Sequence, residues 1–173
     1  MKLNSIYLFL LICILFSGCS GCYKLNGASE GSAKTVSVEY FQNNAALTKP
    51  TYASTLTEAL KDLLTSQSRL TLVKRSADIQ FEGQITRYDV TPQAIQSGTD
   101  QAALNRLTIT VHVKCTNNTP ENEKDGKLNF DQDFTFYADY PSSKSLPDVE
   151  DALIKTINDQ MTMAIFNAAL SKW

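Results

Sequence analysis

The stretch RLTITVHVKCT, Arg106–Thr116, sorts its side chains into two sets. Leu107, Ile109, Val111, Val113 and Cys115 fall on one side, and Thr108, Thr110, His112, Lys114 and Thr116 on the other. Successive side chains of a strand point to opposite faces, so this alternation predicts a strand with one dry face and one wet face. A sheet that is dry on one side must be covered there by another layer. The rest of the chain therefore has to supply both strand neighbours and a cover.

Candidate neighbours lie on both sides in sequence. Leu128 to Tyr140 alternates, with Leu128, Phe130, Phe134, Phe136 and Tyr140 in phase. The strand opening at Ile79 turns Ile79, Phe81 and Ile85 inward and Gln80, Glu82 and Gln84 outward. Beyond Ile85 the phase slips to Tyr88 and Val90, which predicts a bulge or bend near Arg87. Thr35 to Phe41 alternates as a half-buried strand, and Arg69 to Lys74 reads as a short one with Leu70 and Leu72 on one face. Between them, Asn43–Pro50, Ser76–Asp78, Thr91–Asn105 (with Pro92 and Gly98) and Asn117–Lys127 read as loops and turns.

Two segments have helical spacing. In Tyr52–Ser66, Leu56, Ala59, Leu60, Leu63 and Leu64 form an apolar stripe, and Thr51 or Ser54 is placed to cap it. A longer helix starts at Ser145, with Asp148 three residues on as in a capping box and Pro147 in the first turn, where its missing N–H does no harm. Its stripe is Val149, Ala152, Leu153, Ile157, Met161, Ala164, Ile165 and Ala168, which reads as core packing. The fold expected is α+β: a two-layer sandwich with two helices on one face of a mixed, largely antiparallel sheet of four to five strands.

The front end is different in kind. Ile6–Phe16 is an unbroken apolar run of about 11 residues, within signal-peptide length and short of the roughly 20 needed to span a bilayer. Phe16-Ser17-Gly18-Cys19 follows, a lipoprotein cleavage pattern; Cys19-Ser20-Gly21-Cys22 fits less well because it lies beyond the apolar core. The expected organisation is residues 1–18 as signal peptide, 19–34 as lipidated N-terminus and tether (rich in Gly, Ser, Ala and Asn), and 35–173 as one domain. Cys19 is the expected lipid attachment point. Several acyl chains, at about 0.8 kcal/mol per buried methylene, make such an anchor effectively permanent. Ser20 is not the aspartate that commonly retains lipoproteins in an inner membrane, so an outer membrane with the domain in the periplasm is expected.

After removal of that peptide about 155 residues remain, enough for one real core. The formal charge is −2 and the pI about 5.4, with no basic bias of the kind nucleic acid demands. Cys22 and Cys115 can pair in an oxidising compartment, while the strand pattern places Cys115 among buried apolar residues. The single histidine, His112, stands on the wet face, and no nucleophile elbow or phosphate loop is present. Asp131 and Asp133 share one face of a strand, where acids commonly guard an edge. No catalytic residues, cofactor or metal site are expected.

Several stretches in fixed order, YKLNGAS, LTEALKDLL, ADIQFEGQITRYDVTP, NRLTITVHVK, FDQDFTFYADYPSS and IFNAALSKW, together resemble the LptE family, the lipopolysaccharide-assembly lipoproteins of Gram-negative outer membranes. The resemblance spans nearly all of the mature chain. It includes a Tyr-x-x-x-Gly segment, Tyr23–Gly27, shortly after the lipidated cysteine, which again points to Cys19. It implies a two-helix, one-sheet fold and a plug inside the β-barrel LptD that helps lipopolysaccharide reach the outer leaflet. Basic residues bind lipopolysaccharide in some members; the most compact basic pair here is Lys74 and Arg75, for which a solvated strand end is the plainer account. A periplasmic lipid-binding carrier is the alternative, and it requires an enclosed apolar cavity of several hundred Å³.

Overall fold

In the computed structural model of the chain, the described residues are 31–93, 104–120, 122 and 128–170. The signal segment, Cys19, Cys22, Tyr23–Gly27, most of the 91–105 loop and most of the 121–127 insert lie outside them.

The elements in chain order are β1 (Thr35–Val38), β2 (Gln42–Asn43), α1 (Tyr52–Gln67), β3 (Thr71–Leu72), β4 (Ile79–Gln93), β5 (Leu104–Asn117), β6 (Phe130–Pro141) and α2 (Leu146–Leu170). The strand order is β3-β1-β4-β5-β6, with β2 also on β4. β3, β1 and β4 run parallel, as do β2 and β4, while β4, β5 and β6 form antiparallel pairs. This is the mixed sheet expected, with the strand read at Arg69–Lys74 cut to the two residues of β3 and one further two-residue strand, β2, added.

β5 is central and its alternation holds: Leu107, Ile109, Val111 and Val113 are 0 % exposed. Each such side chain contributes about 1.5–3 kcal/mol by leaving water. The phase slip in β4 is a bulge, with the register to β5 shifting between Ile85 and Arg87. It returns Tyr88 to the buried face beside Ile109. A second irregularity separates β1 from β2. Val38 faces Phe81 and Gln42 faces Gln84, so β1–β2 carries one more residue than β4 over this span. The extra residue turns Tyr40 outward and Phe41 inward.

Four expectations need correction. Thr91 to Asn105 is not a loop throughout: Thr91, Pro92 and Gln93 pair with Arg106, Asn105 and Leu104. Pro92 is tolerated because β1 and β2 end alongside Ile85, leaving that flank of β4 an edge with no bond to donate. Leu72 does not share the fate of Leu70; Leu70 is buried and Leu72 is 39 % exposed, because β3 is two residues long and the chain bends at once through Lys74–Ser76. Thr51 occupies the cap position of α1 without a side-chain cap bond; instead Ser54 Oγ and Thr55 Oγ1 donate to its carbonyl. The buried face of α2 is also broader than its apolar stripe. Ala152 and Ala168 are exposed, while Ile154, Asn158, Thr162, Phe166 and Ala169 are buried, because α2 packs against α1 as well as against the sheet.

One buried bond ties the layers, and one half-buried carboxylate ties β1 to the start of β4. Thr57 of α1 accepts from the Phe41 N–H at 3.1 Å and donates to the Ala53 carbonyl at 2.7 Å. Asp78, just before β4, accepts from Lys34 N–H, Thr35 N–H and Thr35 Oγ1 at 2.8–2.9 Å. These donors hold its carboxyl below the usual carboxylate range.

Candidate interaction face

Both helices cover one face of the sheet, so the opposite face of β4, β5 and β6 is open. The registers line up its polar side chains in rows: Thr91, Arg106 and Asp139; Asp89, Thr108 and Tyr137; Arg87, Thr110 and Thr135; Gln84, His112 and Asp133; Glu82, Lys114 and Asp131. Within these rows the charges are largely matched. Arg106 forks onto Asp139 at 2.7 and 2.8 Å and lies 3.7 Å from the centroid of the half-exposed Tyr137 ring. Thr110 and Thr135 hydroxyls meet at 2.9 Å, and Lys114 reaches Glu82 at 3.7 Å. The fork onto Arg106 keeps Asp139 below the usual carboxylate range.

His112 sits between two carboxylates, with Nε2 at 2.6 Å from Asp131 Oδ1 and Nδ1 at 2.8 Å from Asp133 Oδ1. A neutral imidazole donates from one nitrogen only, whereas both donate in the imidazolium, so this geometry suits the charged ring. The hydrogen bond to Asp133 raises its pKa above the usual 6.5, opposed by partial desolvation and assisted by the charge of Asp131. Beside it, Glu39, Tyr40, Gln42, Gln84, His112 and Lys114 border an open groove of about 270 Å³.

These side chains offer hydrogen-bond donors and acceptors across the open face. Among the described residues no group of three or more His, Cys, Asp or Glu side chains is placed to hold a metal ion, and no helix is long and apolar enough to cross a membrane. Cys115 lies on the buried face of β5 with a free thiol that burial pushes up to about 12. Lys74 and Arg75 are exposed in the bend after β3, three strands away from β5, so the structure does not bring them to the open face. The aromatic–arginine stack at Tyr137 was not singled out from sequence; the alternation that placed Tyr137 in the Thr108 row was the available signal.

The fold is shared with two solved structures of low sequence similarity, and a third aligns more loosely. A hypothetical protein from Chlamydia trachomatis is 8 % identical with a TM-score of 0.54, covering 82 % of this chain and 100 % of that one. A protein from Xanthomonas campestris is 13 % identical with a TM-score of 0.54, covering 83 % and 86 %. A minor lipoprotein from Acinetobacter baumannii is 16 % identical with a TM-score of 0.48, covering 78 % and 91 %. No curated protein is significantly similar to the chain. The family model LptE, described as lipopolysaccharide-assembly, matches residues 33–169, which takes in every strand and nearly all of both helices. The chain belongs to the LptE family of lipopolysaccharide-assembly proteins.

Proposed function

We propose that the chain is a lipid-anchored outer-membrane protein that plugs an LptD-type β-barrel from the periplasmic side and assists delivery of lipopolysaccharide to the outer leaflet. Residues 1–18 are the signal peptide, 19–34 the lipidated end and tether, with the acyl chains on Cys19, and the domain follows from residue 35. The role is non-enzymatic. The observation that carries this reading is the open sheet face. A barrel lumen is polar, and a face of paired charges, threonines and amides with one arginine–tyrosine stack presents a matching surface. Tethering at the membrane raises the effective concentration of a membrane partner. Lys74 and Arg75 are the proposed contacts for lipopolysaccharide phosphates, where an exposed basic pair can act as two point charges.

A carrier would need an enclosed apolar cavity. Among the described residues, the groove beside His112 is open and largely polar at about 270 Å³, and the cleft between the helices is open and small at about 180 Å³. A photo-crosslinking residue at Thr110 or Thr135 tests the plug reading in intact cells. A covalent adduct with a large outer-membrane barrel is expected from both positions. Adducts with neither, while a probe at helix position Lys155 captures the barrel, would show that the open face is not the contact.

A further inference from the structure

The irregularity between β1 and β2 leaves Glu39 and Tyr40 exposed, and both border the open groove of about 270 Å³ beside His112. Tyr40 is 60 % exposed, the most exposed aromatic ring among the described residues. Side chains of β4 and β5, Glu82 and Lys114 among them, border the same space.

The charges around the groove do not balance. Lys114 reaches Glu82 only at 3.7 Å, with both side chains about half exposed. His112 is held by Asp131 and Asp133. Glu39 has no cationic partner among the described residues. Counting the two aspartates that hold His112, four carboxylates stand against two cations. The surplus disfavours a phosphate and favours a cation, and the unmatched carboxylate is next in the chain to the exposed ring.

The same sheet face shows what a carboxylate and a tyrosine can hold together. Arg106 forks onto Asp139 at 2.7 and 2.8 Å while its guanidinium lies 3.7 Å from the centroid of the Tyr137 ring. Glu39 and Tyr40 repeat the carboxylate and the ring, and no arginine borders their groove. A guanidinium is planar, stacks on aromatic faces and carries five donors in a fixed fork, whereas an ammonium is a strongly hydrated point charge. The Gln42 amide adds an acceptor at the same place. At about 30 Å³ of liquid volume per water the groove holds roughly nine waters, which is room for a long side chain.

We propose that the groove receives an arginine side chain of the barrel partner, its guanidinium stacked on Tyr40 and paired with Glu39. The inference rests on the reading that the open face meets a barrel, and it names the side chain the barrel brings there.

The test compares photo-crosslinking residues at Gln42 and at Thr135 of the full chain in intact cells, with the captured barrel segment mapped by mass spectrometry. Adducts from both positions are expected, with an arginine in the segment captured at Gln42. Glu39→Arg should cut the Gln42 adduct about fivefold and Tyr40→Leu about threefold, the scale of an exposed ion pair and an exposed cation–π contact. Tyr40→Phe keeps the ring face and should match the wild type. Both side chains are exposed, so the denaturation midpoint should not move in any of the three variants. Changing the mapped barrel arginine to glutamate should restore the adduct of Glu39→Arg. A barrel adduct at Thr135 with none at Gln42 overturns the inference and leaves the barrel reading standing, and adducts at neither overturn both. The inference also falls if the segment captured at Gln42 carries no arginine, if Tyr40→Leu gives the wild-type yield, or if the charge exchange restores nothing.

Discussion

The Phe41 ring lies over Gly83 so closely that a β-carbon on Gly83 would stand 2.9 Å from Phe41 Cε1 and 3.1 Å from the His112 carbonyl oxygen. Gly83 faces the core, on the side where β4 meets the irregularity between β1 and β2. Its missing side chain is what lets Phe41 close that irregularity from the inside. The ring end can shift, but the carbonyl is held in the β4–β5 ladder.

Gly83→Ala should therefore destabilise the domain by about 1–3 kcal/mol, as overpacking does, measured by chemical denaturation. Combined with Phe41→Leu, the two losses should not add, because the second change removes the ring the first one meets. Simple additivity would contradict the packing described.

Thr57 supplies the buried partner of the Phe41 N–H. Thr57→Val keeps the shape and removes the acceptor, leaving a buried donor unpaired, at a cost of about 1–3 kcal/mol. Thr57→Ser retains the hydroxyl and should cost less. Equal losses for the two variants would mean that the methyl, not the hydrogen bond, carries the effect.

His112 should titrate above 6.5, read from its ring shifts in NMR. Asp133→Asn should bring the value down towards 6.5, since the bond to Asp133 is the largest cause of the shift. A raised folded pKa means the stability from this group is fully present below the unfolded value near 6.5 and is lost as pH rises through the folded value. The side chain is 37 % exposed, so screening keeps the contribution within about 1 kcal/mol. A wild-type value at or below 6.5 would contradict the two-carboxylate geometry.

Cys115 should resist alkylation in the native protein at about pH 8 and react on unfolding, because burial keeps it a thiol and the thiolate is the nucleophile. Rapid modification of the folded protein, followed by mass spectrometry, would contradict its placement on the dry face of β5.

Much of this was legible in the chain. The alternation from Arg106 to Thr116 gave the central strand and both its faces, because a period of two admits one arrangement once one face is buried. The slip after Ile85 marked the bulge for the same reason. Helix α2 was harder to read. An apolar stripe identifies one buried face, but Asn158 and Thr162 are buried by the second face against α1, and polar residues give no periodic signal of that. The short strand β2 owes its existence to pairing with β4 rather than to local pattern, whereas β3 was legible within Arg69–Lys74 and only its length was not. At the open face, the composition was readable from alternation, but the placing of His112 between Asp131 and Asp133 depends on the β5–β6 register, which crosses the loop between them. The groove bordered by Glu39 and His112 was not legible at all, since it brings together residues far apart in the chain.

The most direct measurement is to tag the chain beyond Trp173, solubilise native outer membranes gently and identify what co-purifies. A large outer-membrane β-barrel recovered in one-to-one stoichiometry is the result expected of a plug. Recovery of the chain alone, or with bound lipid and no barrel, would contradict the plug and favour a carrier.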